Sequence, residues 1–171
     1  LKVLGTIQDG GIPHLGCNKK CCKDYFKKGY SKKRVVSLGI SDLKEKKNYL
    51  IEASPDISFQ LNNFLKNESK NLNGIFITHA HIGHYSGLIN LGREVLNSSK
   101  TPLFLMPKMT EFISKNGPWN QLVKLKNVDL KKIFNKKSIK LTEGLSIIPF
   151  RVPHRDEYSE TVGFKIIGPK K

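Results

Sequence analysis

The spacing of apolar positions changes several times along the chain, and each change marks an element. Residues 1–6 read as an opening strand, and Asp9-Gly10-Gly11-Ile12-Pro13 as the loop that leaves it. Two apolar runs, 35–41 and 49–53, flank the charged stretch 42–48 and predict a hairpin. Ser54-Pro55-Asp56 then stops the strand and caps a helix with Ile57, Leu61, Phe64 and Leu65 on one face. Residues 74–78 form a short β-branched and aromatic run of the kind that makes a buried strand. After Gly83 the period lengthens: Leu88, Leu91, Val95 and Leu96 recur at helical spacing and predict a helix starting near His84. Residues 102–106 read as a strand, and 108–115 as a short helix ended by Asn116-Gly117-Pro118. Trp119, Leu122, Val123 and Leu125 make an apolar group without a regular period. Three strands close the chain at 138–142, 145–152 and 161–167, the first two joined by a Glu143-Gly144 turn. Strands alternating with helices, followed by a strand-rich stretch, indicate an α/β or α+β layered domain.

The densest chemistry sits where the central strand ends. Three of the five histidines, His79, His81 and His84, fall within Thr78-His79-Ala80-His81-Ile82-Gly83-His84-Tyr85. In extended backbone, residues two apart point the same way, so His79 and His81 can converge on one ion. A helix beginning at His84 would add free N–H groups and a partial positive charge, which suits an anionic ligand. Neutral imidazole is a common zinc donor, and H-x-H-x-x-H at a strand-to-helix junction points to a metal site. His154 follows a strand directly and lies in the polar loop Val152-Pro153-His154-Arg155-Asp156-Glu157-Tyr158. With His79 and His81 it completes a three-histidine zinc set that leaves a position open for water. Asp156, Glu157 or Tyr158 can orient a ligand or handle a proton, Asp156 and Glu157 being the catalytic candidates. Near the start, His14, Cys17, Cys21 and Cys22 gather four donors within nine residues, enough for a structural metal clip. Their C-x3-C-C spacing is not that of a standard finger, so buried or solvent-facing thiols stand beside the clip as the plainer alternative.

Composition changes this picture only at the edges. A chain of 171 residues is long enough for one domain with a real core and too short for two typical ones. The formal net charge of +16 invites a nucleic-acid partner. Yet only Arg34, Arg93, Arg151 and Arg155 carry guanidinium groups, and the lysines are scattered, so a small-molecule substrate is the better expectation. No run approaches the ~18–20 apolar residues of a membrane span. Three cysteines cannot all pair with one another, which favours a reducing, cytoplasmic setting; Leu1 is not a start methionine, so a removed leader stays open. Oligomeric state is not written in the sequence.

Three segments spread along the chain carry a family resemblance: LGTIQDGGIPHLGCNKKCC, THAHIGHYSGL and VPHRDEYSETVGF. HAHIGH resembles the metal motif H-x-H-x-D-H of the metallo-β-lactamase-fold hydrolases, and the whole is similar to their subgroup related to coenzyme PQQ synthesis protein B. The resemblance implies an αββα sandwich with the metal at one edge between two sheets. It implies His79, His81 and His154 as first-site ligands, His84 as a second-site ligand, and one or two Zn2+ ions. It also implies that residues 1–171 form the N-terminal portion of a single domain, with closing strands and helices beyond 171. The motif's aspartate falls at Gly83, which has no ligand atom. Two functions therefore stand: a hydrolase of an ester, lactone, amide or phosphodiester, and a catalytically degenerate metal- or partner-binding protein, including a role in cofactor biosynthesis. An RNA-processing nuclease on the same fold ranks below both.

Overall fold

The computed structural model describes residues 1–27, 29, 33–66 and 71–169. Six strands, β1 (Lys2–Gly5), β2 (Ser37–Asp42), β3 (Lys47–Ile51), β4 (Leu72–Phe76), β5 (Thr101–Leu105) and β6 (Val128–Lys132), form one sheet in chain order. The pairs β1–β2 and β2–β3 are antiparallel, and the pairs from β3 to β6 are parallel. A second, antiparallel sheet holds β7 (Ile139–Lys140), β8 (Ser146–Arg151) and β9 (Val162–Ile167).

Period-2 alternation along the strands divides the interior into two layers. Leu50, Ile75, Ile77, Leu103 and Leu105 face α2 (Ile57–Leu65), α4 (Pro107–Lys115) and α5 (Trp119–Lys124), packing with Ile57, Met109, Ile113 and Leu122. The intervening residues Tyr49, Ile51 and Phe76 face the second sheet and pack with Ile147, Val162 and Phe164. Phe76 stacks on Phe104 with ring centroids 4.3 Å apart and meets Phe164 edge-on at 5.4 Å. The result is helices on one face of the large sheet and the small sheet on the other, three layers of the expected sandwich. Among the described residues no helix is long and apolar enough to cross a membrane.

Several elements differ from the sequence expectation. The helix expected from His84 through Leu96 is a single turn, α3 (Ile82–Tyr85), followed by a 3-10 stretch, Ser86–Leu91. Leu88 and Leu91 are buried as the period requires, but Val95 and Leu96 are 64% and 52% exposed. The chain is drawn onto the turn after β3: Gly87 donates its N–H to Ala53 O at 2.9 Å, and a Cβ at Gly87 would clash with the Ser54 carbonyl. Those contacts hold the backbone off a straight α-helical path. So short a helix offers no macrodipole, and the anion-binding role expected of it falls away. Trp119–Lys124 is the helix α5, set by Leu122 in the core and not by a clean period. β6 was hidden because edge strands carry charge: Val128 and Leu130 face inward between Asp129, Lys131 and Lys132. A short helix, α1 (Lys20–Asp24), forms within the cysteine segment.

Candidate metal centre

β4 ends at Phe76, and the chain runs through Thr78 into the loop carrying His79 and His81 before α3 begins. His154 arrives from the other sheet, in the loop after β8. Two hydrogen bonds join the loops: Ala80 N–H to Ser159 Oγ at 2.8 Å, and Val162 N–H to Thr78 O at 3.1 Å. Ser159 is only 2% exposed, so this clamp is dry. The site therefore lies at the carboxyl ends of parallel strands, where open α/β sheets usually bind ligands.

Three nitrogens converge there. His79 Nε2 is 2.9 Å and His154 Nε2 is 3.2 Å from His81 Nδ1. A tetrahedral zinc with bonds of about 2.0–2.1 Å spaces its donors by about 3.3 Å, so the set is the right size for one ion. The remaining nitrogens of two rings are held. His79 Nδ1 lies 2.8 Å from Thr78 Oγ1, and His81 Nε2 lies 3.1 Å from Glu157 Oε2. A carboxylate at Nε2 of His81 favours the proton there and leaves a lone pair on Nδ1; the Thr78 hydroxyl accepts from Nδ1–H of His79 in the tautomer that frees Nε2 and donates to Nδ1 in the other. In the first tautomer lone pairs face each other across 2.9 Å, an arrangement that a cation relieves; in the second His79 Nε2–H donates to His81 Nδ1. Burial, followed by the charges of His84, His81 and His154, pushes His79 down to about 3, with Asp9 acting the other way, so this imidazole stays neutral in mild acid.

His84 stands beside the trio and outside it, its ring centroid 4.3 Å from that of His79. Burial alone would lower its pKa, but the Glu52 carboxylate, 3.5 Å from Nδ1, and the charge of Asp9 hold it above the ordinary value. Glu52 is 3% exposed and takes a left-handed backbone, φ 72°, as β3 gives way to the turn before α2. Neither Glu52 Oε2 nor His84 Nδ1 has a hydrogen bond of full geometry, and the two face each other at 3.5 Å with little access to solvent.

The other candidates separate. Glu157 touches a histidine and does so as an orienting partner. Asp156 is turned away: Arg151 holds one oxygen at 3.1 Å and Thr161 the other at 2.8 Å, which braces the loop. Tyr158 packs on Phe112 with centroids 5.6 Å apart. Cys17, Cys21 and Cys22 gather their sulfurs within 4.8 Å of one another. The His14 ring is not in that group; its Nδ1 faces Leu15 O, while its backbone N–H donates to Cys22 Sγ at 3.4 Å. A hydrogen bond from Cys22, with the Lys19 backbone, draws the Cys17 thiol below its usual pKa, toward the thiolate that a metal needs. Asp9, Glu52, Thr78 and Ser159 escaped the sequence reading. For Glu52 a signal was present: a carboxylate directly after the apolar run Tyr49-Leu50-Ile51 must be buried with a partner.

The model of the β-lactamase superfamily domain matches residues 47–171. The chain belongs to this family. No curated protein matches it in sequence. Several solved structures share its fold. Zinc-bound PqqB from Methylobacterium extorquens aligns at 21% identity with a TM-score of 0.77, over 97% of this chain and 60% of that one. A diphosphatase of the PhnP family aligns at 22% and 0.71, over 96% and 61%. The short form of human tRNase Z aligns at 16% and 0.55, over 98% and 63%. The chain thus spans about three-fifths of the length of these superfamily structures.

Proposed function

We propose that the protein is a zinc-dependent hydrolase that activates water against an ester, lactone, amide or phosphodiester. One observation carries this reading: three histidine nitrogens at zinc spacing, two of them with their far nitrogens held by Thr78 and Glu157. A zinc ion there supplies a Lewis acid for a carbonyl or phosphoryl oxygen and acidifies water toward pH 7. The protein's own residues prepare that chemistry. Glu157 sets the tautomer of His81, Thr78 holds Nδ1 of His79, burial keeps His79 unprotonated, and the Ser159 clamp keeps the two histidine loops in register. The net charge of +16 favours an anionic substrate, which places phosphodiesters first among the four classes. Fold likeness to a diphosphatase supports the same order. For the three sulfurs of Cys17, Cys21 and Cys22 the reading assigns a separate, structural zinc held by thiolates.

Chelation of the full-length protein should abolish hydrolysis of a phosphodiester and ester panel, and added zinc should restore it. His79→Ala and His154→Ala should lower kcat/KM by more than about 100-fold, beyond what losing a ligand's orienting partner does. Ordinary turnover and metal content in both variants would exclude the reading. Metal bound without turnover of any class would select the alternative that fold likeness to PqqB supports, a cofactor-biosynthesis protein that binds zinc without hydrolysis.

A further inference from the structure

Gly83 sits where the metallo-β-lactamase motif carries its aspartate, and the space that an aspartate would need is filled. A Cβ at position 83 would clash with Asp9 Cβ and with the Asp9 carbonyl oxygen, and would lie 2.7 Å from Asp9 Cα. The side chain of Asp9 therefore leaves the backbone from almost the point where a side chain at 83 would begin. The turn after β1 presents it: Gly11 donates its N–H to Gln8 O at 3.0 Å with φ 76°, and Gly10 donates to Gln8 Oε1 at 3.0 Å. The charge of Asp9 acts on both His79 and His84, raising the pKa of each. Among the described residues no hydrogen bond or ion pair holds that carboxylate elsewhere.

His84 is prepared in the same way as the other ligands. Its Nδ1 faces the buried Glu52 carboxylate, which leaves Nε2 as the donor available to a metal.

We propose that Asp9 supplies, from the loop after β1, the carboxylate that position 83 lacks, and that Asp9 and His84 together hold a second divalent cation beside the three-histidine site. The motif's aspartate has moved to another part of the chain, and Gly83 is the space that lets it in. This proposal rests on the metal reading above and goes one ion further.

Cobalt titration of the full-length protein tests it, because d–d bands of nitrogen and oxygen sites are distinct from thiolate charge transfer at the cysteines. The wild type should take up two equivalents at nitrogen and oxygen sites. Asp9→Asn, which keeps the shape and removes the charge, should take up one, with the denaturation midpoint of the metal-free protein unchanged. Two equivalents in Asp9→Asn, or one in the wild type, would overturn the proposal while leaving the three-histidine reading standing. No uptake at nitrogen sites in the wild type would overturn both. Should the variant fold poorly, a zinc-edge anomalous map of wild-type crystals decides: a second peak about 2.0–2.2 Å from an Asp9 oxygen supports the proposal. A second peak bonded elsewhere, or none, refutes it.

Discussion

At the scale of single residues, the position that looked like a loss is a fitted contact. By the motif alone, Gly83 reads as an enzyme that has shed its second-metal ligand. In the fold, Gly83 is buried, and the backbone of Asp9 occupies the place of its missing side chain. Even one methyl group there must push the 8–11 turn away. Gly83→Ala should therefore lower stability by about 1–3 kcal/mol, the usual range for overpacking a close contact. Denaturant unfolding of the metal-free protein would show this as a lower midpoint. An unchanged midpoint would mean that the turn yields freely and that the contact is incidental. The same contact makes Gly83→Asp a poor repair, since the new side chain would start inside the Asp9 backbone.

At the scale of elements, the site is a join between two sheets. β4 delivers His79 and His81, and the loop after β8 delivers His154. What keeps the His79 and His154 nitrogens within 3.2 Å of His81 Nδ1 is the seam beneath them, Ala80 to Ser159 and Val162 to Thr78. Ser159→Ala would leave the buried Ala80 N–H without its acceptor, which costs about 1–3 kcal/mol. The variant should unfold at a lower denaturant concentration and bind zinc about 10–100-fold more weakly, as when a ligand's orienting partner is lost. Wild-type zinc affinity in a destabilised variant would assign Ser159 to the fold alone. The elements that the sequence concealed share a cause. β6 hides its two inward residues among edge charges, and the path after α3 bends because Gly87 packs against the turn after β3. Both depend on neighbours distant in the chain, to which a local period is blind.

At the scale of the whole molecule, burying His79 beside three other imidazoles makes stability depend on pH. His79 is pushed down to about 3 from 6.5, so the unfolded chain binds a proton at His79 across that window that the folded, metal-free protein refuses. Stability should fall as pH drops through the window. His84 is shifted the other way, so its contribution is already complete below 6.5 and stays constant there. Denaturant midpoints of the metal-free protein at about pH 6.5 and about pH 5 should separate, and His79→Gln should narrow the gap. Equal gaps in the two proteins would exclude this origin. The layered α/β class, most strands, and the gathering of His79, His81 and His154 were legible in the chain, because period-2 burial and close ligand spacing are properties of neighbouring residues. The placements of Asp9, Glu52, Glu157 and Ser159 emerged only in three dimensions. Each acts on a residue between 32 and 79 positions away. The sequence determined that a cluster of histidines would form at the end of the central strand. Tertiary structure decided which carboxylates surround it, because a glycine is silent about what fills its empty side until the chain folds back against it.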